Sequence, residues 1–385
     1  MNKIRIVHHS NQLGLGGTEK EMQLLCKYLN KDLFEIYALA PYYPVPLHRL
    51  FSDHVKAFFG SKAALARKQQ NHYLHARVPE FIKVLGEERV ILYTDFTLAK
   101  IMRKISPHIL HVHHSGLMSR PFNHPKVIDQ IPLLFTINVF GFRDESYFQY
   151  KLNKILFPSY WLKEATQSWS KEDPRCDVLY CPVEKPQTKE NLRKELKIEK
   201  DCFVLGRIGR NADDIYDPIS LGAYKQIETD QTLFLVLSAP PKMKEDSKKM
   251  GIRRILFLEP EISDLFLSKF YNTIDVLAHA RLDGETFGCV IAEAMIHGKP
   301  VVSHFSHIRN AQAELLTKEC GFVAPQNDWK KYAEVLKLLC EKKFLRLEMG
   351  ECARQRAEEN FEASLIAKRL ESFYLQELKK KNLIS

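Results

Sequence analysis

The sequence predicts an α/β protein made of two parallel-sheet lobes, and three observations lead there. Short β-branched runs alternate with amphipathic helical stretches along most of the chain, the pattern of parallel strands covered by helices. The alternation stops across a polar, Lys- and Glu-rich segment at 184–201 and then begins again. At 385 residues the chain also exceeds what one ordinary core organises, so two domains are expected.

Strands are expected in the first half at Ile4–His8, Ile36–Ala40, Val90–Tyr93, Ile109–His113, Leu133–Ile137, Ile155–Pro158 and Val178–Cys181. The second set comprises Phe203–Ile208, Leu233–Leu237, Ile255–Leu258, Val276–His279 and Pro300–Ser303. From Trp329 onward the pattern is helical. Tyr332, Val335, Leu336 and Leu339 recur at helical spacing, followed by Leu365, Leu370 and Phe373.

Composition bounds the class. Hydrophobic content of 45% against 27% charged residues is the balance of a soluble globular chain. Apolar runs such as Leu233–Ala239 fall far short of the ~20 residues that span a bilayer. The apolar start ends at His8 and His9, so no secretory signal is expected. Eight cysteines without a CxxC pair, mostly inside apolar runs, indicate a reducing, cytoplasmic setting with no disulfide and no zinc. His111, His113 and His114 on one strand end have no nearby Cys or carboxylate in sequence, so they are read as structural and no bound metal is expected.

A net charge of +10 is compatible with nucleic acid, an anionic membrane face or phosphate-bearing small substrates. The basic clusters Lys242–Lys249 and Lys379–Lys381 carry no aromatic-plus-basic module, so nucleic acid is not expected. The charge favours peripheral contact with the cytoplasmic face of a membrane.

The segment Asp283–Val302 carries the most chemistry. Phe287, Val290, Ile291, Ala294 and Met295 make an apolar helical face, which Gly298 and Pro300 terminate. The helix is expected to start near Glu285–Thr286, at the carboxyl end of a parallel strand, where free amides and the helix dipole favour a diphosphate. Gly288 has no Cβ to hold a phosphate off. Glu293 lies eight residues beyond Glu285, about 12 Å along a helix axis. A sugar and a ribose flanking one diphosphate are separated by a comparable span, one for each carboxylate. In the first half, Gly14–Lys20 forms a glycine-rich turn after the first strand. Thr18 and Glu21 have capping-box spacing, and Met22, Leu25, Cys26 and Leu29 line a buried face.

These residues resemble a known family. The Glu285–Glu293 segment is similar to the E-x7-E motif of retaining GT-B glycosyltransferases, family 4 (glycosyl transferases group 1). Asp275–His279, Met349–Arg356, and Asn191–Leu196 followed by Gly206–Arg210 resemble flanking parts of that family. The resemblance implies a GT-B architecture, two Rossmann-like lobes facing a cleft. Residues 1–183 would bind the acceptor, 184–360 the sugar nucleotide, and a helix from 361 to 385 would pack back on the first lobe. It implies a metal-independent, retaining transfer with front-face attack assisted by the leaving diphosphate, needing no cofactor beyond a UDP- or GDP-linked donor. The acceptor would be a glycan, a lipid-linked sugar or a small molecule.

By the same resemblance Glu285, Arg210 and Asn138 are the catalytic candidates, and Gly16, Gly17, Thr286, Phe287, Gly288 and Glu293 bind the donor. Two positions depart from the family pattern. Ile215 stands where a lysine usually follows the phosphate-binding arginine, and Asn138 stands where many members have histidine. These departures keep open a non-catalytic GT-B module that binds a nucleotide sugar. A nucleotide-sugar 2-epimerase is a further alternative.

Overall fold

The computed structural model describes residues 3–42, 74–114, 124–138, 151–165 and 168–384, with single positions at 52, 55, 56, 58, 61 and 121. The chain divides into two compact units. Unit 1 gathers residues 1–158, 166–179 and 367–385, and unit 2 gathers 159–165 and 180–366.

Unit 1 is built on a seven-stranded parallel sheet. Its strands are β1 (Ile4–Ser10), β2 (Phe34–Pro41), β3 (Val90–Tyr93), β4 (Ile109–His114), β5 (Leu133–Asn138), β6 (Lys154–Phe157) and β7 (Cys176–Val178). They lie in the order β3-β2-β1-β4-β5-β6-β7. Both faces are covered, so the strands read as continuous apolar runs: Ile6 and Val7 are both fully buried, although they point to opposite faces. The carboxyl ends of β1 and β4 flank the point where strand order reverses, and the glycine-rich turn follows β1 there.

The helix after that turn runs Gly17–Tyr28, with Gly16 as its extended N-cap and no side-chain cap. The expected Thr18–Glu21 capping box is therefore not formed. The helix starts one residue before Thr18, which puts that hydroxyl inside the first turn. Met22, Leu25, Cys26 and Leu29 are buried as their periodicity predicts. The helix Ala363–Lys380 carries Tyr374 into the core of unit 1, edge-on to Phe34, His111 and Phe135.

Unit 2 holds a six-stranded parallel sheet of β8 (Phe203–Ile208), β9 (Thr232–Leu237), β10 (Ile255–Leu258), β11 (Val276–Ala278), β13 (Val301–His304) and β15 (Gly321–Ala324). Their order is β10-β9-β8-β11-β13-β15. A separate parallel pair joins β12 (Gly284–Glu285) to β14 (Arg309–Asn310). Alternate residues of β8 feed two cores. Val204 packs with Phe270, Ile274 and Ile291 on one face, while Leu205 packs with Tyr224, Tyr332 and Leu336 on the other. Here too the order reverses between β8 and β11, and their carboxyl ends define the second switch point.

Most strands fall within a residue or two of expectation, with one correction. β7 occupies Cys176–Val178 rather than 178–181, because the chain leaves the sheet there: Val183 N–H instead donates to Phe361 O at 2.8 Å in unit 2. None of the eight cysteines is joined in a disulfide. No helix among the described residues is long and apolar enough to cross a membrane.

Candidate functional site

The site in unit 2 grows from the loop that leaves β11. His279 follows the last strand residue and keeps sheet register, its N–H donating to Val302 O at 2.8 Å. The chain then turns through Arg281 and Asp283 into β12. Arg281 N–H donates to His304 Nε2 (3.2 Å), and Leu282 N–H to Ile215 O (3.0 Å). Glu285 is clamped through its backbone: its N–H donates to Gln312 Oε1 (3.3 Å) and its carbonyl accepts from Ala311 N–H (3.0 Å). Gln312 is fully buried and its amide donates in turn to His304 O. A loop pinned at this many points holds a side chain far more narrowly than a free surface loop would.

Two glycines make the path possible. Gly284 has φ +66°, and a Cβ there would lie 1.7 Å from Arg309 O. Gly288 has φ +106° and stands at the N-cap of the helix Cys289–Ile296. That helix corrects the sequence reading, which placed its start at Glu285–Thr286. Glu285 is in β12, and Thr286–Gly288 is a connecting turn. The helical-rise estimate of the Glu285–Glu293 spacing therefore does not apply. Phe287 mimicked the first apolar position of the helix, but its ring packs into the core beside Tyr180 and Phe361. Gly298 at φ +69° does close the helix as expected.

Charges converge on Glu285. His279 Nε2 is 3.0 Å from Glu285 Oε1, and Arg281 Nη1 is 3.8 Å from the same oxygen. Arg281 also bonds Asp283, which takes Arg309 Nη1 at 2.8 Å. Burial pushes the Glu285 carboxyl up, but the His279 hydrogen bond and the Arg281 charge outweigh it and hold the group below the usual carboxylate range. His304 lies behind, its pKa lowered chiefly by burial, although Asp217 at 3.8 Å pulls the other way. Glu293 is nearly buried on its helix and accepts from the Tyr271 hydroxyl at 2.7 Å.

The two arginines near the end of β8 differ sharply. Arg210 lies two residues past the strand and is exposed. Arg207, on the strand itself, is 4% exposed, and its Nε and Nη1 have no hydrogen-bond partner among the described residues. Burial pushes its pKa down to about 10, with Arg281 adding to the effect. An unsatisfied buried guanidinium is costly unless an anion completes it. Ile215 is buried, with 8% exposure, so its side chain packs inward instead of offering a polar group to the site.

In unit 1, Gly16 precedes the Gly17–Tyr28 helix, and a Cβ on Gly16 would fall 2.1 Å from Glu19 Oε2. Asn138 ends β5 opposite His114 in register, and its side chain lies outside the described residues. Behind the switch point, His8, His111 and His113 offer ring nitrogens within 4.8 Å of one another. The His111 ring stacks on those of His8 and His113 at interplanar angles of 28° and 19°, and His8 and His113 are tilted at 36°. His8 Nδ1 bonds His113 Nε2 at 3.0 Å, and Tyr374 bonds His111. A cavity of about 540 Å³ lies at the opposite, amino-terminal end of β1 and β2, beside Arg5 and Phe34, away from the switch point.

Sequence reasoning missed His279, Arg281, Arg309 and Arg207. The signal within reach was the charge alternation Arg281-x-Asp283-x-Glu285. The contribution of Arg207 needs β8 and β11 side by side.

Comparison with known proteins follows the same geography. Residues 188–356 match the family model described as glycosyl transferases group 1. Among curated proteins, the chain is similar to the capsular polysaccharide biosynthesis glycosyltransferase CapM of Staphylococcus aureus. The two are 27% identical over 191 residues, covering 46% of this chain and 47% of CapM. The chain thus matches about half the length of that curated relative.

Among solved structures it is similar to a glycosyltransferase from Rickettsia africae, with TM-score 0.74 and 15% identity over 98% of this chain and 100% of that one. It is similar to the sucrose-phosphate synthase of Thermosynechococcus elongatus, with TM-score 0.69 and 15% identity over 98% and 100%. It is also similar to Anabaena Alr3699/HepE in complex with UDP-glucose, with TM-score 0.63 and 16% identity over 97% and 100%.

Proposed function

We propose that the chain is a retaining glycosyltransferase using a nucleotide-sugar donor: residues 188–356 match the glycosyl transferases group 1 model, and the two-sheet fold is that of GT-B structures. The observation that carries the proposal is that the two strands flanking the switch point of unit 2 each bring a charged group there: the loop after β11 holds Glu285 against His279 and Arg281, and β8 carries the partly unsatisfied guanidinium of Arg207.

In this reading Arg207 and Arg210 meet the donor diphosphate, together with the amides of Thr286, Phe287 and Gly288. A guanidinium suits phosphate through its fork of donors. Glu285 holds hydroxyls of the transferred sugar and Glu293 those of the ribose. Gly16, Gly17 and Asn138 belong to unit 1 and are assigned by the resemblance of their segments. The leaving diphosphate takes the acceptor's proton while the acceptor attacks on the same face. Catalysis then rests on positioning and on stabilising the charge that develops on the diphosphate. CapM's role in capsular polysaccharide biosynthesis supports a glycan acceptor. The UDP-glucose complex of HepE supports a UDP-linked donor.

A thermal-shift screen with UDP, GDP, ADP and their common sugar conjugates tests the reading, on wild type and on Glu293→Ala. A ligand bound only to the folded state raises its stability. Nucleotide-specific stabilisation that Glu293→Ala weakens is expected, with transfer abolished in a normally folded Glu285→Ala. A fully active Glu285→Ala would overturn the site. Binding without turnover across a broad acceptor panel would favour the non-catalytic module, which the buried Ile215 makes the second reading. An altered sugar nucleotide formed from donor alone would indicate an epimerase.

A further inference from the structure

We infer that His279 is a positioning residue for Glu285: Ser303 holds its ring through Nδ1, and its Nε2–H aims the carboxylate. The inference rests on the reading that Glu285 meets the donor sugar. His279 and Ser303 stand side by side at the ends of β11 and β13, with register set by Leu277↔Val301 and Ala278↔Val302. His279 Nδ1 lies 2.8 Å from Ser303 Oγ, and Nε2 lies 3.0 Å from Glu285 Oε1. Ser303 is fully buried and the His279 side chain is 6% exposed. The Tyr332 hydroxyl, 3.0 Å from His279 O and 2.8 Å from Val302 O, ties the two strand ends together.

Donor and acceptor chemistry settles the proton. An ionised carboxylate only accepts, so His279 Nε2 carries the hydrogen. In the neutral ring Nδ1 is the acceptor and the Ser303 hydroxyl donates to it. Both the imidazole and Arg281 engage Oε1 of Glu285. Oε2 accepts no hydrogen bond among the described residues, which leaves it for the ligand. The order Ser–His–carboxylate is that of a nucleophilic triad, but here it runs the other way. The hydroxyl end is sealed and the carboxylate end, at 14% side-chain exposure, is the working one.

The charged groups around Glu285 are accounted for element by element. His279 follows β11, Arg281 and Asp283 are on the loop, Arg309 is on β14, and His304 on β13 is backed by Asp217. Of these, His279 alone donates a side-chain hydrogen bond to the carboxylate. Its loss leaves burial less opposed, so the Glu285 pKa rises.

The experiment compares wild type, His279→Leu, His279→Gln, Ser303→Ala and Glu285→Ala. Nucleotide release is followed with UDP-glucose, UDP-N-acetylglucosamine and GDP-mannose, across pH. His279→Leu should lower kcat by about tenfold or more, the rate equivalent of one charge-assisted hydrogen bond. Its affinity for the free nucleotide should be unchanged, and the acid limb of its pH profile should move to higher pH. His279→Gln, whose amide can donate from nearly the Nε2 position, should restore most of the rate, and Ser303→Ala should fall between. An inactive Glu285→Ala beside a His279→Leu with unaltered kcat and acid limb overturns the positioning role alone. An active Glu285→Ala overturns the site reading beneath it. The ¹⁵N-histidine spectrum, with the His279 signals assigned by their loss in His279→Gln, decides without any substrate. A proton held on Nε2 of His279 supports the inference, and a ring protonated on Nδ1 alone or an averaged signal overturns it.

Discussion

Gly284→Ala isolates how much the Glu285 platform depends on one close backbone approach. Gly284 and Gly251 both have positive φ, +66° and +61°. An alanine in that left-handed region costs about 1–2 kcal/mol. At Gly251 the added methyl meets nothing within 4 Å, so conformational strain is the whole cost. At Gly284 the methyl would sit 1.7 Å from Arg309 O and 2.4 Å from Ser306 Oγ. Relief requires β12 to move off β14. That breaks the Gly284↔Arg309 pairing and disturbs the Ser306 Oγ–H···O Arg309 bond of 2.8 Å. Each lost hydrogen bond adds about 0.5–1.5 kcal/mol, so the total is about 3–4 kcal/mol.

A domain in the size class of unit 2 loses about 2–4 °C of Tm per kcal/mol. Scanning calorimetry should therefore show a fall of about 10 °C for Gly284→Ala and about 4 °C for Gly251→Ala. The extra stabilisation that a nucleotide sugar gives over the free nucleotide, the part assigned to Glu285, should disappear in the first variant only. Equal falls in the two variants, with the sugar-dependent stabilisation intact, would refute the claim that the β12–β14 approach sets the site.

Two other expectations follow from buried charge. Arg207→Met replaces a partly unsatisfied guanidinium by an apolar chain of similar length. The ligand-free melting temperature should hold or rise, while stabilisation by nucleotide is lost; a lower melting temperature with the nucleotide response retained contradicts the assignment. His8 is held down to about 3 by burial, with Lys31 adding to the effect. A histidine with a depressed folded pKa contributes fully above its unfolded value of about 6.5, and stability is lost as pH falls from there toward 3. Calorimetry between pH 7 and pH 4.5, on about a 1.4 kcal/mol per pH unit limiting slope, should show that loss in wild type and a shallower one in His8→Gln. Identical slopes would refute it.

The fold was largely legible because a buried parallel strand writes itself as a run of β-branched residues. Phe203–Ile208 and Ile255–Leu258 are found where the pattern places them. β15 was missed because Gly321–Ala324 is too short to show a period, and β12 and β14 span two residues each. The helix start was set too early because Phe287 continues the spacing of Val290, Ile291 and Ala294. Hydrophobic periodicity has no access to the +106° φ of Gly288. Glu285 and Glu293 could be picked out from spacing and context. Their partners could not, since Ser303 lies 24 residues from His279 and Tyr271 lies 22 from Glu293. Arg207 hides for a different reason, since a charged residue in the middle of an apolar strand reads as an interruption until its surroundings are known.

The composition of unit 1 has a bearing on how the protein is made. Tyr374 fills the space between Phe34, Phe135 and the imidazoles of His8 and His111, yet it is synthesised long after all of them. Unit 2 draws on one nearly continuous stretch, 180–366, and its strands are complete before residue 367 is added. Unit 2 therefore needs nothing encoded after residue 366, whereas unit 1 does. The first sheet waits with a polar, histidine-lined gap on one face until Tyr374 arrives. A released chain ending before that tyrosine is expected to carry one complete unit and one open one, so the amino-terminal half is the part expected to aggregate.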